Sequence, residues 1–202
     1  MLTNDSGRPI KVSVVIVTYN QERYIAQTIE SVLNQETSFD YEIVIGEDCS
    51  TDRTREIVAE YARNHPNKIR AILAPKNQGA HTNFLETWKS CRGEYVATLD
   101  GDDYWTDSRK LQKQADFLDT NSECSICFHK VTMLYPDGSQ AISPVGVKSR
   151  SNTADLLKNN FISAAATMFR NGLIADVPTW WHDLVLATGR FTCCIQCMDK
   201  SV

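Results

Sequence analysis

Val12-Ser13-Val14-Val15-Ile16-Val17 is apolar at every position but one, and it runs into the polar step Thr18-Tyr19-Asn20. A β-branched run without polar alternation fits a strand buried on both faces, as in a parallel sheet. Downstream, Ile25, Ile29, Val32 and Leu33 repeat with helical spacing on one stripe. The next apolar segment is Ile43-Val44-Ile45. Ser50-Thr51-Asp52 then signals a helix start, and that helix carries Ile57, Val58 and Tyr61 and ends near Asn64-His65-Pro66.

The alternation continues. Ile69 to Leu73 reads as a third strand, with Phe84, Leu85 and Trp88 marking a third helix. Tyr95-Val96-Ala97-Thr98-Leu99 reads as a fourth strand, and Leu111, Ala115 and Leu118 mark a fourth helix. Ser125 to Tyr135 contains a fifth strand. Strands alternating with helices of this length predict right-handed βαβ units and an open, mostly parallel sheet flanked by helices, the α/β class. Beyond Tyr135 the pattern weakens: Pro136-Asp137-Gly138-Ser139 reads as a turn, 140–153 as a loop and Thr153 to Lys158 as a short helix. Ile162 to Phe169 reads as a strand, Trp180 to Thr188 as a helix and Phe191 to Cys197 as a last strand. With no internal repeat and no linker, residues 1–202 read as one domain, with a first part over about 10–135 and a second over about 136–202.

Composition narrows the function. The 202 residues are 42% hydrophobic and 23% charged, with a net charge of −4 and no dense basic cluster, which argues against a nucleic-acid partner. Met1 to Lys11 is polar, without the apolar core of a signal peptide, and no apolar run approaches a membrane span. The seven scattered cysteines then read as reduced thiols of a cytoplasmic protein. Cys124-x-x-Cys127 and Cys194-x-x-Cys197 have zinc-pair spacing, but buried or incidental thiols fit them better, since the pairs lie far apart in the chain. His81 and His129 read as packing or surface residues.

In open α/β sheets ligands bind beyond the carboxyl ends of the strands, near the switch in strand order. Four successive predicted strand ends carry polar groups: Thr18-Tyr19-Asn20, Glu47-Asp48, Lys76-Asn77-Gln78-Gly79, and Asp100-Gly101-Asp102-Asp103. The last set is the most chemical. Carboxylates this close raise one another's pKa unless a cation neutralises them, and a hard ion such as Mg²⁺ or Mn²⁺ suits oxygen ligands and substrate phosphates. A solvated acidic turn explains the same residues equally well. Asp48 can accept a hydrogen bond from a base edge, although a helix N-terminal charge is the plainer reading, and Tyr19 can stack on the base. No G-x-G-x-x-G and no G-x-x-x-x-G-K-[ST] follows the first strand, so the dinucleotide and P-loop modes of holding phosphate are missing.

Together these segments resemble the family 2 glycosyltransferases of the GT-A fold. The likeness rests on VSVVIVTYN (12–20), Ser31-Val32-Leu33-Asn34-Gln35, YEIVIGEDCSTD (41–52), Asn77-Gln78-Gly79, Gly93-Glu94-Tyr95 and LDGDD (99–103), in that order. It covers roughly residues 10–135, which would form the nucleotide-sugar-binding half, with 136–202 on the acceptor side. The resemblance implies that Thr18, Tyr19 and Asn20 line the nucleotide site and that Asp48 contacts the base, most often uracil. Asp100 and Asp102, flanking Gly101, would hold the metal and diphosphate, and Glu22 and Asn83 would lie on the crevice wall. It further implies inverting transfer from a UDP-sugar to a glycan or lipid-linked saccharide, a carboxylate acting as base.

Asp183, in Trp180-Trp181-His182-Asp183-Leu184, is the nearest match to that base, without the family's preceding Gly or Glu. The Q-x-x-R-W motif of processive members is missing, and Cys193 to Lys200 departs from the family's usual ending, as a truncated or altered C-terminus would. Trp105 would support the sugar, and Trp180 and Trp181 would line an acceptor groove or pack in the core. The resemblance places the work in the cytoplasm, at or near the inner face of the membrane. Two alternatives stand beside transfer: a catalytically inactive donor-binding protein, and a sugar nucleotidyltransferase, which would need a Gly-rich basic loop where Thr18-Tyr19-Asn20-Gln21-Glu22 stands.

Overall fold

The computed structural model describes residues 9–143, 150–158, 161–173 and 197–198. β1 (Val12–Thr18) buries every side chain but that of Val17, which is partly covered, and β2 (Tyr41–Glu47) buries all seven. Both lie inside the sheet with helices on each face, so neither strand shows polar alternation. β3 (Ile69–Leu73) and β4 (Tyr95–Asp100) complete the parallel first half, with α1 (Ile25–Leu33), α2 (Thr54–Asn64), α3 (Ala80–Lys89) and α4 (Lys110–Thr120) between and after them. Later come β5 (Ile126–Cys127), β6 (Val131–Leu134), β7 (Gln140–Ser143), β8 (Arg150–Ser151), α5 (Thr153–Lys158), a 3₁₀ turn at Ala164–Ala166, β9 (Met168–Arg170) and β10 (Cys197–Met198).

The sheet order is β3-β2-β1-β4-β9-β5-β10-β8. β1 pairs in parallel with β2 on one side and β4 on the other, so the order reverses between β1 and β4. Two apolar layers sandwich the sheet. Val12, Val14 and Ile16 point with Ile29, Val58 and Leu111 to one face, and Val15, Val44 and Val96 point with Leu85, Trp88 and Phe169 to the other.

Three expectations are corrected beyond residue 125. The predicted fifth strand is broken: β5 is two residues long, and β6 leaves the sheet to form a hairpin with β7. That hairpin occupies part of the stretch expected to be loop, closed by the predicted turn, where Gly138 adopts φ 83°. The strand expected over Ile162 to Phe169 is a 3₁₀ turn followed by β9, which runs antiparallel between β4 and β5. The helix expected over Trp180 to Thr188 lies outside the described residues, as does most of the last strand.

Candidate active site

The acidic turn is fixed from three directions. Val17 on β1 is the register partner of Asp100 on β4. The Gly101 N–H donates to Val17 O at 3.0 Å, and Asp103 N–H donates back to Asp100 O at 3.0 Å. Thr28, buried on α1, donates its hydroxyl to Gly101 O at 2.9 Å. Gly101 has no room for a side chain, because a Cβ there would lie 2.7 Å from Thr18 Cβ and 2.3 Å from Gln21 Oε1. The turn therefore sits at the strand-order switch with Asp102 and Asp103 exposed at its tip.

Burial, then the charges of Asp103 and Asp102, push the Asp100 carboxyl up to about 6. Burial and the Asp102 charge push Asp103 up as well. Among the described residues no cationic side chain pairs with any of the three. Mutually repelling oxygen donors without a protein counter-ion fit a hard divalent cation. No three His, Cys, Asp or Glu side chains among the described residues form a ready-made metal cage. A cation held here would thus take only part of its shell from the protein, as Mg²⁺ commonly does with substrate phosphates.

The loop after β1 is laced to the loop after β2. Asn20, at φ 54°, donates its N–H to Ser50 Oγ at 3.0 Å and accepts from Thr51 N–H at 2.8 Å. Glu22 accepts from Arg53 N–H at 3.0 Å, while its own N–H donates to Asp52 Oδ2 at 3.1 Å. Thr18 is buried and donates to Gln21 Oε1 at 2.7 Å, and Tyr19 stands 44% exposed beside it, free to stack. Asp48 is buried, and its oxygens accept from the N–H groups of Gln78 and Gly79 at 2.7 and 2.9 Å. Its first role is to fold the third loop over the crevice. These bonds tie the loops after β1, β2 and β3 to one another.

Asn83 and Trp105 have other roles. Asn83 is buried under the crevice, donating from Nδ2 to Gly46 O at 2.9 Å, so it clamps α3 to β2 rather than lining a wall. Trp105 is 8% exposed, donates from Nε1 to Ala165 O at 2.8 Å, and lies under the Lys110 ammonium at 3.7 Å from its ring centroid. It is a packing residue between the 3₁₀ turn and the start of α4. Asp183, Trp180 and Trp181 lie outside the described residues.

Lys110 escapes a reading by pattern, because a lysine opening a helix looks like a solvated charge. Here it is 3% exposed, its Nζ has no hydrogen-bond partner among the described residues, and burial brings it down to about 7. An unfolded lysine titrates near 10.4, so between about pH 7 and 10 the unfolded chain holds the extra proton and stability rises with pH. Lys110→Met keeps the stem and removes the buried charge. We expect it to stabilise the fold at pH 7 by on the order of 1–3 kcal/mol and to flatten that slope. Urea melts of both proteins from pH 7 to 9 check this. A destabilised variant with the wild-type slope would refute it.

Residues 13–176 match the family model described as glycosyl transferase family 2. The chain belongs to that family. An uncharacterized protein of Mycobacterium bovis is 40% identical over 160 residues, covering 78% of this chain and 46% of that protein. The poly(ribitol-phosphate) beta-N-acetylglucosaminyltransferase TarS of Staphylococcus aureus is 35% identical over 111 residues, 54% of this chain and 19% of TarS. The crystal structure of TarS 1–349 in complex with UDP superposes with a TM-score of 0.63 at 25% identity, covering 80% of this chain and 47% of that one. The chain thus spans about half the length of the mycobacterial relative and of the crystallised TarS chain. The shared architecture is the GT-A fold, a mostly parallel sheet flanked by helices.

Proposed function

We propose that this chain carries the donor site of a glycosyltransferase that takes a UDP-sugar, uses a divalent cation, Mg²⁺ or Mn²⁺, and transfers with inversion to a glycan or lipid-linked saccharide. The observation that carries the reading is the acidic turn, locked to the end of β1 at the strand-order switch with no counter-ion among the described residues. Tyr19 would stack on the base, with Thr18, Asn20 and the loop held by Asp48 framing it; Glu22 acts at one remove, by tying the first two loops together. Asp100 and Asp102 would hold the cation against the diphosphate, where it supplies charge stabilisation for the leaving group. Asp183 is our assignment for the base that deprotonates the acceptor hydroxyl. UDP in the TarS complex supports the choice of nucleotide, and the name of TarS, a poly(ribitol-phosphate) transferase, supports a polymeric acceptor.

Calorimetric titration of UDP with and without Mn²⁺, on wild type and Asp102→Ala, tests the reading. Wild type is expected to bind UDP only with the cation, and Asp102→Ala to lose at least about tenfold in affinity, roughly 1.4 kcal/mol. Binding should also weaken as pH falls through about 6, where protons compete for Asp100. Wild type that binds no UDP under any metal condition would overturn the assignment.

A further inference from the structure

Gln21 belongs to none of the motifs that carry the family likeness, yet it lies against the acidic turn. Its backbone is fully used: the N–H donates to Thr54 Oγ1 at 2.7 Å, and its carbonyl accepts from Tyr24 and Ile25 N–H at 3.0 Å each. The side-chain oxygen accepts from the Thr18 hydroxyl at 2.7 Å and sits where a Gly101 Cβ would be. The residue is thereby held at its backbone and at its side-chain oxygen, between β1, the first turn of α2 and the Asp100–Asp103 turn. What remains is Nε2, whose N–H groups meet no acceptor among the described residues.

The surrounding side chains of the turn offer only carboxylate acceptors, which repel an anionic ligand unless a cation and N–H donors intervene. A rigid amide with spare donors supplies the second of these, and its rotamer entropy is already lost in the free protein. We propose that Gln21 Nε2 is a donor-binding group, giving a hydrogen bond to an oxygen of the nucleoside diphosphate bound at the acidic turn. The inference rests on the donor-site reading above and adds a contact that the family motifs do not include. Thr18 then acts as a positioning residue, since its hydroxyl anchors the amide beside the turn.

Two substitutions test it, with UDP titrated at saturating Mn²⁺. Gln21→Glu keeps an acceptor for Thr18 but replaces the N–H donors with negative charge, and Gln21→Met removes the amide at similar length. Both are expected to weaken UDP about tenfold or more with little change in melting temperature. Uridine, titrated in parallel, locates the oxygen: a loss confined to UDP assigns it to the diphosphate, and a loss for both assigns it to the nucleoside. If wild type binds UDP and Asp102→Ala abolishes binding, yet either Gln21 variant binds within twofold of wild type, Gln21 is not a ligand and the donor site stands. If wild type itself does not bind, the donor-site reading fails first.

Discussion

Gly101→Ala is expected to abolish cation-dependent UDP binding and to cost about 1–3 kcal/mol of stability, the range for an overpacked interior. The new methyl would sit 2.3 Å from Gln21 Oε1 and 2.7 Å from both Cβ and Oγ1 of Thr18. Gln21 Oε1 is held by the Thr18 hydroxyl, and Thr18 Cβ is fixed to the backbone of a central strand. Relief must therefore come from the turn itself, which is tied to Val17 O and Thr28 Oγ1. Lifting it breaks those ties and displaces Asp100 and Asp102 together. Titration with Mn²⁺ and a thermal melt on the same sample separate the two effects. A variant that melts early yet binds UDP as tightly as wild type would show that the turn need not sit on β1 for function.

The part of the fold legible in the sequence is the part where one local rule dominates. β1, β2 and β4 carry apolar stretches (Val14–Val17, Ile43–Ile45, Tyr95–Ala97) because helices cover both sides of them, and Ile25, Ile29 and Val32 mark α1 because they face one layer. The same strands end in Thr18, Glu47 and Asp100, so the polar loops that follow them could be read before their geometry was known. Beyond residue 125 no such rule holds. β5 and β9 are two and three residues long, too short for any periodicity, and β9 joins the sheet through pairing with β4 and β5, which lie far from it in sequence. Trp105 misled for a related reason: adjacency to Asp103 placed it near the crevice, while its ring direction is set by Ala165 O and Lys110. Asn83, expected on the crevice wall, and Gln21, which no motif singles out, show the same limit. Each is an amide beside a motif, and only the packing at Gly46 and Gly101 distinguishes the clamp from the candidate ligand.

Glu42→Ala is expected to destabilise the protein by about 3–5 kcal/mol, because it removes the acceptor at the centre of a buried charged network. Glu42 is 3% exposed and accepts from Ser13 Oγ at 2.7 Å, from Arg92 N–H at 2.8 Å, and from the Arg92 and Arg70 guanidiniums at 2.7 and 3.1 Å. Burial alone would raise its pKa, but the bonds from Arg92 and Ser13 and the charge of Arg70 outweigh it and hold the carboxyl below its ordinary value. A lowered carboxylate stabilises the fold above its unfolded pKa of about 4.3, and that contribution is lost as pH falls through the lower folded value. Urea melts at pH 7 and below 4.5 should show wild type losing stability in acid, with Glu42→Ala starting lower and losing less. Glu42 lies at the amino end of β2, whereas Asp100 lies at the carboxyl end of β4, so the network stands at the opposite edge of the sheet from the crevice. The fraction of Glu42→Ala that remains folded should therefore bind UDP like wild type. Asp102→Ala should do the reverse, losing the ligand and keeping the fold, since its carboxylate is exposed and pairs with no cation among the described residues. A Glu42 variant that folds at neutral pH with unchanged stability would mean that the arginines rehydrate without penalty and that the network contributes nothing net.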